Sequence, residues 1–189
     1  LDEVFDKNDL DYIWQEASFL CHPNKLLDQN KTAGALDART KEPLKKNRGV
    51  WLEEVYINRR FSNYFSIYQK PLNENKDILK QYIEYDYNIN AYFKTKKDCT
   101  LLSYYEDGDE YKKHNDFSSY TYIFWLFKEP KCFTGGNLYF DDIDYTVELK
   151  SNRAILFPSW AHHSVTKVSM DAEYSNKGLG RFAFSTFLH

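Results

Sequence analysis

The feature that most limits how this chain folds is the punctuation of its C-terminal half. After Lys97, short runs rich in β-branched and aromatic residues follow one another, at 99–105, 120–127, 137–140, 145–149, 154–157, 164–168 and 181–188. Turn sequences separate them: Glu106-Asp107-Gly108, Thr134-Gly135-Gly136, Lys150-Ser151-Asn152 and Ser175-Asn176-Lys177-Gly178. Many short strands spaced by such turns predict an antiparallel sandwich, jelly roll or barrel. The 189 residues suit one domain, 1–189, with a helical and strand flank over 1–97 and a β-core over 98–189.

In the flank, residues 10–20 read as a strand or a short helix. Residues 28–48 are rich in Lys, Asp and Asn and lack apolar periodicity, so they read as a long loop: a lid, a binding loop or a disordered segment. Residues 49–57 read as a strand. Residues 59–93 carry apolar side chains at helical intervals, interrupted by Pro71, which predicts one helix on each side of it.

Composition narrows the function classes. An aromatic share of 18% argues against disorder, and no apolar run is long enough for a membrane span. A formal charge of −3 speaks against holding nucleic acid through its phosphates. The expected partners therefore include neither nucleic acid nor membrane. Cys21, Cys99 and Cys132 form no close-spaced motif, which points to a reducing compartment and a cytoplasmic location.

Three elements carry chemistry. In His114-Asn115-Asp116, residues i and i+2 of a strand share a face, so imidazole and carboxylate converge on one point; a surface turn with a helix cap has the same sequence. His162-His163 follows Phe157-Pro158-Ser159 at the end of an apolar strand. Two histidines and one carboxylate on a β-scaffold make the facial triad of non-haem Fe(II) oxygenases. Arg181 opens the last strand, where Ala183, Ser185 and Phe187 share its face. If that face points inward, the guanidinium needs an anion, and a carboxylate suits it bidentately.

Four motifs in order carry a resemblance over about residues 99–189. They are Tyr105-x-x-Gly108-x-x-Tyr111-x-x-His114-x-Asp116, Gly135-Gly136-Asn137-Leu138-Tyr139-Phe140, Phe157-Pro158-Ser159-x-x-x-His163-x-Val165, and Gly180-Arg181 followed by an alternating strand. Together they resemble the prolyl hydroxylase-like family of 2-oxoglutarate/Fe(II)-dependent dioxygenases. The resemblance implies an α+β, mainly β fold, with a double-stranded β-helix (jelly roll) buttressed by N-terminal helices. It implies Fe(II) held by His114, Asp116 and His163, with His162 a neighbour. It implies 2-oxoglutarate and O2 as co-substrates, with ascorbate in support. Arg181 takes the 2-oxoglutarate C5 carboxylate, Tyr105 and Thr121 hydrogen-bond the co-substrate, and Ile123, Leu138 and Trp125 wall it. Tyr111, Trp125 and Phe187 face the substrate, Phe187 standing where family members often carry Trp.

One departure stands out: the family's Arg or Lys usually follows the distal His by about ten residues, and here Arg181 follows His163 by 18. Residues 169–177 then read as an inserted hairpin loop, and Lys167 is a rival for the carboxylate. The implied reaction is hydroxylation of a C–H bond, foremost of a prolyl residue in a peptide or protein, with conversion of 2-oxoglutarate and O2 to succinate and CO2. A free amino acid or small metabolite is the alternative substrate, and a non-catalytic metal-containing jelly-roll module the alternative class. The carboxylate of Asp116 disfavours halogenation, the lack of a second C-terminal Arg disfavours nucleic-acid demethylation, and the lack of His-x-His with a following Glu disfavours a cupin.

Overall fold

The computed structural model describes residues 1–22, 25–84 and 89–189. Helix α1, Lys7–Leu20, begins at Asp6, whose carboxylate accepts the Asp9 N–H at 2.9 Å. Ile13, Ala17 and Leu20 recur on one face of it and are buried. The helical alternative for residues 10–20 therefore holds. Glu16, on the same face, accepts hydrogen bonds from the Ser62 hydroxyl at 2.7 Å and the Tyr64 N–H at 2.8 Å, which ties α1 to the next helical layer.

The strand expected over 49–57 is shorter than its apolar residues indicate. It runs over Arg48–Trp51 (β3) and turns into helix α2, Leu52–Val55. Leu-Glu-Glu favours the helix, and the two carboxylates stand in its first turn. Next come α3 (Asn63–Ile67), α4 (Gln69–Glu74), α5 (Lys76–Gln81) and α6 (Ile89–Lys94). Pro71 does not separate two helices as expected: it is the third residue of α4, within the turn whose N–H groups have no intrahelical partner. The helix expected after it also crosses residues 85–88, which lie outside the described residues.

The segment 28–48 is not featureless. Strands β1 (Leu27–Asp28) and β2 (Lys45–Lys46) bracket it, and Leu36 and Pro43 form an antiparallel bridge within it. The remaining strands are β4 (Asp98–Tyr105), β5 (Glu110–His114), β6 (Tyr120–Leu126), β7 (Phe133–Thr134), β8 (Leu138–Phe140), β9 (Tyr145–Val147), β10 (Arg153–Pro158), β11 (His163–Val165), β12 (Ser169–Met170) and β13 (Arg181–Leu188). Residues 169–177 thus do more than loop out, since β12 pairs with β7.

One sheet has the order β1-β3-β4-β13-β6-β10 and the other β2-β5-β11-β8-β9, with all pairs antiparallel. This is a jelly roll, the double-stranded β-helix expected. Each sheet also takes strands from the N-terminal third. No described helix is long and apolar enough to cross a membrane.

The period of two along the large sheet positions the site. Tyr122, Phe124, Leu102, Tyr104, Phe182 and Phe184 join Ile13, Leu20 and Tyr64 in a core under the helices. Their alternates Tyr105, Ile123, Trp125 and Ala183 join Leu138, Phe140, Phe157 and Val165 in a second core between the sheets. Both faces of β6 are therefore buried, which is why 120–127 reads as an unbroken apolar run. Each fully buried large side chain contributes about 2 kcal/mol through removal from water. Functional residues on odd positions of β4, β6 and β13 are thereby fixed toward the opposing sheet.

Candidate active site

His114 ends β5, and His163 opens β11. The two strands are paired with these residues opposite each other, so their ring centroids lie 4.3 Å apart. Asp116 is not in the strand that the i, i+2 argument assumed. It lies in the loop just past β5, where its N–H donates to the Ser159 carbonyl at 2.9 Å. That bond returns the chain toward the sheet and brings the carboxylate between the two rings. Nε2 of His114 is 3.8 Å from one Asp116 oxygen, and Nε2 of His163 is 3.6 Å from the other.

Each imidazole is oriented by a carbonyl. Nδ1 of His114 lies 2.8 Å from the Lys112 carbonyl oxygen, and Nδ1 of His163 lies 2.9 Å from that of Ala161. A carbonyl only accepts, so each proton sits on Nδ1 and each Nε2 lone pair is free to ligate. Burial, reinforced by His163, pushes the His114 imidazole down to about 3, which keeps it in the neutral, ligating form. The rings are also fixed by packing: Tyr111 stacks on His114 at 3.5 Å, and Phe157 meets His163 edge-on at 4.9 Å.

Asp116 is held by a line of hydroxyls that the sequence reading missed. Thr121 donates to its Oδ2 at 2.7 Å. The Ser159 hydroxyl lies 2.8 Å from that of Thr121, and the Ser118 hydroxyl lies 2.6 Å from that of Ser159. Thr121 was expected to bind co-substrate. Its one proton is instead committed to Asp116, so it positions a metal ligand. Ser159 works twice, through its carbonyl and its hydroxyl, and its place in Phe157-Pro158-Ser159 was the only signal of this. Burial pushes the Asp116 carboxyl up, while His163 and Thr121 pull it down. The expected result of Thr121→Val, which keeps the shape and removes the donor, is metal affinity lower by about 10-fold with the fold intact. Calorimetric titration of the protein with Mn(II) would measure it.

The inner cavity runs from this triad to Arg181 and is walled by Tyr105, Ile123, Leu138, Ala183, Ser185 and Phe187, among others. Arg181 is 1% exposed, and its Nε and Nη1 have no hydrogen-bond partner among the described residues. Its guanidinium carbon is 4.6 Å from the Tyr105 ring. Burial pulls the Arg181 pKa down, the neighbouring Tyr105 pulls it back up, and no carboxylate acts on it. A guanidinium remains charged under these conditions, so these orphaned donors are a ready seat for a ligand carboxylate. Lys167 is exposed and is not on the cavity wall, which removes it as the rival.

Two glycines make this geometry possible. A Cβ on Gly180 would stand 2.1 Å from the Tyr105 carbonyl oxygen, which would force β13 away from β4. Gly136, at φ +74°, would place a Cβ 2.9 Å from Cδ of Arg181. These close approaches account for Gly136 and Gly180 in the two motifs.

One further expectation is corrected. Trp125 does not face a substrate. It is fully buried and absent from the cavity wall, with its ring 5.9 Å from the Arg181 guanidinium carbon. Two residues beyond Ile123 on the same face, it has passed the end of the cavity. His162 is the neighbour of His163 that was expected, exposed and paired with Asp142 through Nδ1 at 3.1 Å. Tyr105, Ile123 and Leu138 line the inner cavity, and Tyr111 and Phe187 border both it and a wider outer groove.

Residues 99–189 match the family model of the 2OG-Fe(II) oxygenase superfamily. Among solved structures, the chain is similar to a Pseudomonas putida prolyl-4-hydroxylase, at 13% identity and a TM-score of 0.64, over 100% of this chain and 90% of that one. It is also similar to the viral collagen prolyl hydroxylase of Paramecium bursaria Chlorella virus-1, solved in complex with 2-oxoglutarate, at 9% identity and a TM-score of 0.51 over 100% and 92%. A search of curated proteins finds no match. The paired imidazoles, the carboxylate and the unpaired guanidinium fit Fe(II) and 2-oxoglutarate, and with the match of residues 99–189 to the 2OG-Fe(II) oxygenase superfamily on a jelly roll similar to those of prolyl hydroxylases they support a 2-oxoglutarate-dependent dioxygenase.

Proposed function

We propose that this chain hydroxylates a prolyl residue in a peptide or protein. The observation that carries the reading is the groove outside the triad. It has a volume of about 330 Å³, shares Lys45, Leu101, Tyr111, Asp116 and Phe187 with the inner cavity, and is mostly apolar. Trp51, Phe117 and the backbone of residues 32–35 complete it. Aromatic grooves of this kind dock proline-rich chains, whose extended helix costs little entropy to bind. The polar segment 28–48 supplies the loop over the groove, pinned where the Ala35 N–H donates to the Tyr111 hydroxyl at 2.9 Å.

In this reading His114, Asp116 and His163 hold Fe(II), and Arg181 and Tyr105 hold the C5 carboxylate of 2-oxoglutarate between Ile123 and Leu138. When bound, Fe(II) chelated by 2-oxoglutarate activates O2 and supplies the oxidation of C–H to C–OH, with succinate and CO2 as the other products. The protein keeps the Nδ1 protons of both histidines on backbone carbonyls, so neither ring rotates. Thr121 keeps one Asp116 oxygen engaged. Phe187, Tyr111 and Trp51 exclude water and orient the substrate. The three free cysteines support a cytoplasmic location as part of this proposal.

The test is incubation with Fe(II), ascorbate, 2-oxoglutarate and O2, with and without proline-rich peptides, followed by succinate assay and peptide mass spectrometry. The reading expects succinate release stimulated by the peptide, with one oxygen atom added at proline. Succinate release with no oxygen on proline, or equal turnover of peptides in which Ala replaces Pro, contradicts it and leaves a free amino acid or metabolite as substrate.

A further inference from the structure

Lys45 is a second buried cation that the proposed chemistry does not use. It lies in β2, is 3% exposed, and borders both the inner cavity and the outer groove. Its partner across the ladder is Tyr111, whose ring stacks on His114. The loop 32–35 lies directly on its stem, since a Cβ on Gly34 would stand 2.8 Å from Lys45 Cε. Of its three N–H donors one is used, to the Thr32 carbonyl at 3.1 Å. No carboxylate of the described residues lies within 4 Å of it, and burial pulls its ammonium down to about 8 with no charged neighbour to offset the effect. By contrast Lys46, the next residue, is exposed.

A buried ammonium with no counter-ion is costly to keep, and an apolar side chain of similar volume is the cheaper occupant of such a place. An anion from outside the chain resolves this. Arg181 already supplies a carboxylate seat on the side of the inner cavity away from the groove, whereas Lys45 stands where the cavity opens into the groove. We propose that Lys45 is a substrate-carboxylate subsite, so that the preferred substrate carries a carboxylate flanking the hydroxylated residue. This rests on reading the groove as the substrate's path. The carboxylate has two possible sources, an Asp or Glu side chain within a peptide or the α-carboxylate of a free or C-terminal residue.

The experiment pairs binding with turnover. Fluorescence titrations of the metal-free protein use short peptides in matched pairs, Pro-Glu against Pro-Gln and Ala-Glu against Ala-Gln, and free proline against prolinamide. Wild type should bind the acid member of a pair about 10-fold more tightly than its amide, Lys45→Met should bind both members equally, and Lys45→Arg should keep the preference. Preference within the peptide pairs identifies a side-chain carboxylate, and preference confined to proline over prolinamide identifies an α-carboxylate. Removing a buried charge that has no counter-ion should also raise the Tm of Lys45→Met by a few °C. Equal binding of acid and amide by wild type overturns the proposal, as does equal weakening of both members in Lys45→Met. A rise in the KM for 2-oxoglutarate in Lys45→Met that is the same for every substrate overturns it too, because Lys45 would then serve the co-substrate. The prolyl reading fails separately, if acidic peptides bind through Lys45 with no preference for Pro over Ala and no oxygen added to proline.

Discussion

Arg181→Met raises the 2-oxoglutarate concentration needed for half-maximal succinate formation by about 100-fold or more, while metal affinity stays within about twofold of wild type. The size follows from the bonds lost. A fully desolvated, bidentate guanidinium–carboxylate contact comprises two charge-assisted hydrogen bonds of about 1.5–3 kcal/mol each, and each 1.4 kcal/mol is tenfold in affinity. The fold should survive, because Nε and Nη1 of Arg181 have no partner to orphan and Met fills an apolar channel beside Leu149, Val168 and Gly136. The metal ligands are untouched, since none bonds to Arg181. Steady-state kinetics with 2-oxoglutarate varied, alongside a Mn(II) titration, checks both halves.

His114→Ala abolishes succinate formation and lowers metal affinity by about 100-fold or more. It removes one of three protein ligands and also the ring on which Tyr111 stacks. Asp116→Asn separates the two effects. It keeps an oxygen for the Thr121 proton at 2.7 Å but removes the charge that offsets the metal's, so weak metal binding with unchanged Tm is expected. Turnover surviving in His114→Ala at saturating Fe(II) would remove the residue from the site.

Much of the catalytic core was readable before the structure. Alternation along β13 put Arg181, Ala183, Ser185 and Phe187 on one face, because a period of two within a strand admits no other arrangement, and the family resemblance supplied Tyr105 and Ile123. His163 rather than His162 was selected by its position after Phe157-Pro158-Ser159, and the ladder with β5 agrees.

What was illegible depended on three dimensions. Asp116 reaches the site from a loop, through a backbone bond to Ser159 that is 43 residues away in sequence. Thr121 faces the site as alternation requires, but only the fold shows that Asp116 claims its proton. Trp125 obeys the same alternation, yet the cavity ends before it, and a strand pattern does not encode cavity length. Lys45 and Lys46 both fall in the polar segment 28–48, and nothing local indicates that the loop 32–35 covers the first lysine and not the second.

The central claim is that His114, Asp116, His163 and Arg181 form one Fe(II) and 2-oxoglutarate site. The most direct measurement is an anaerobic titration of the Fe(II)-loaded protein with 2-oxoglutarate, following the visible charge-transfer band of an Fe(II)–2-keto acid chelate. The account predicts a saturable band in wild type, no band in His114→Ala, and a band in Arg181→Met that needs about 100-fold more 2-oxoglutarate. A wild-type protein that binds Fe(II) but develops no band would contradict it, as would Arg181→Met saturating at the wild-type concentration.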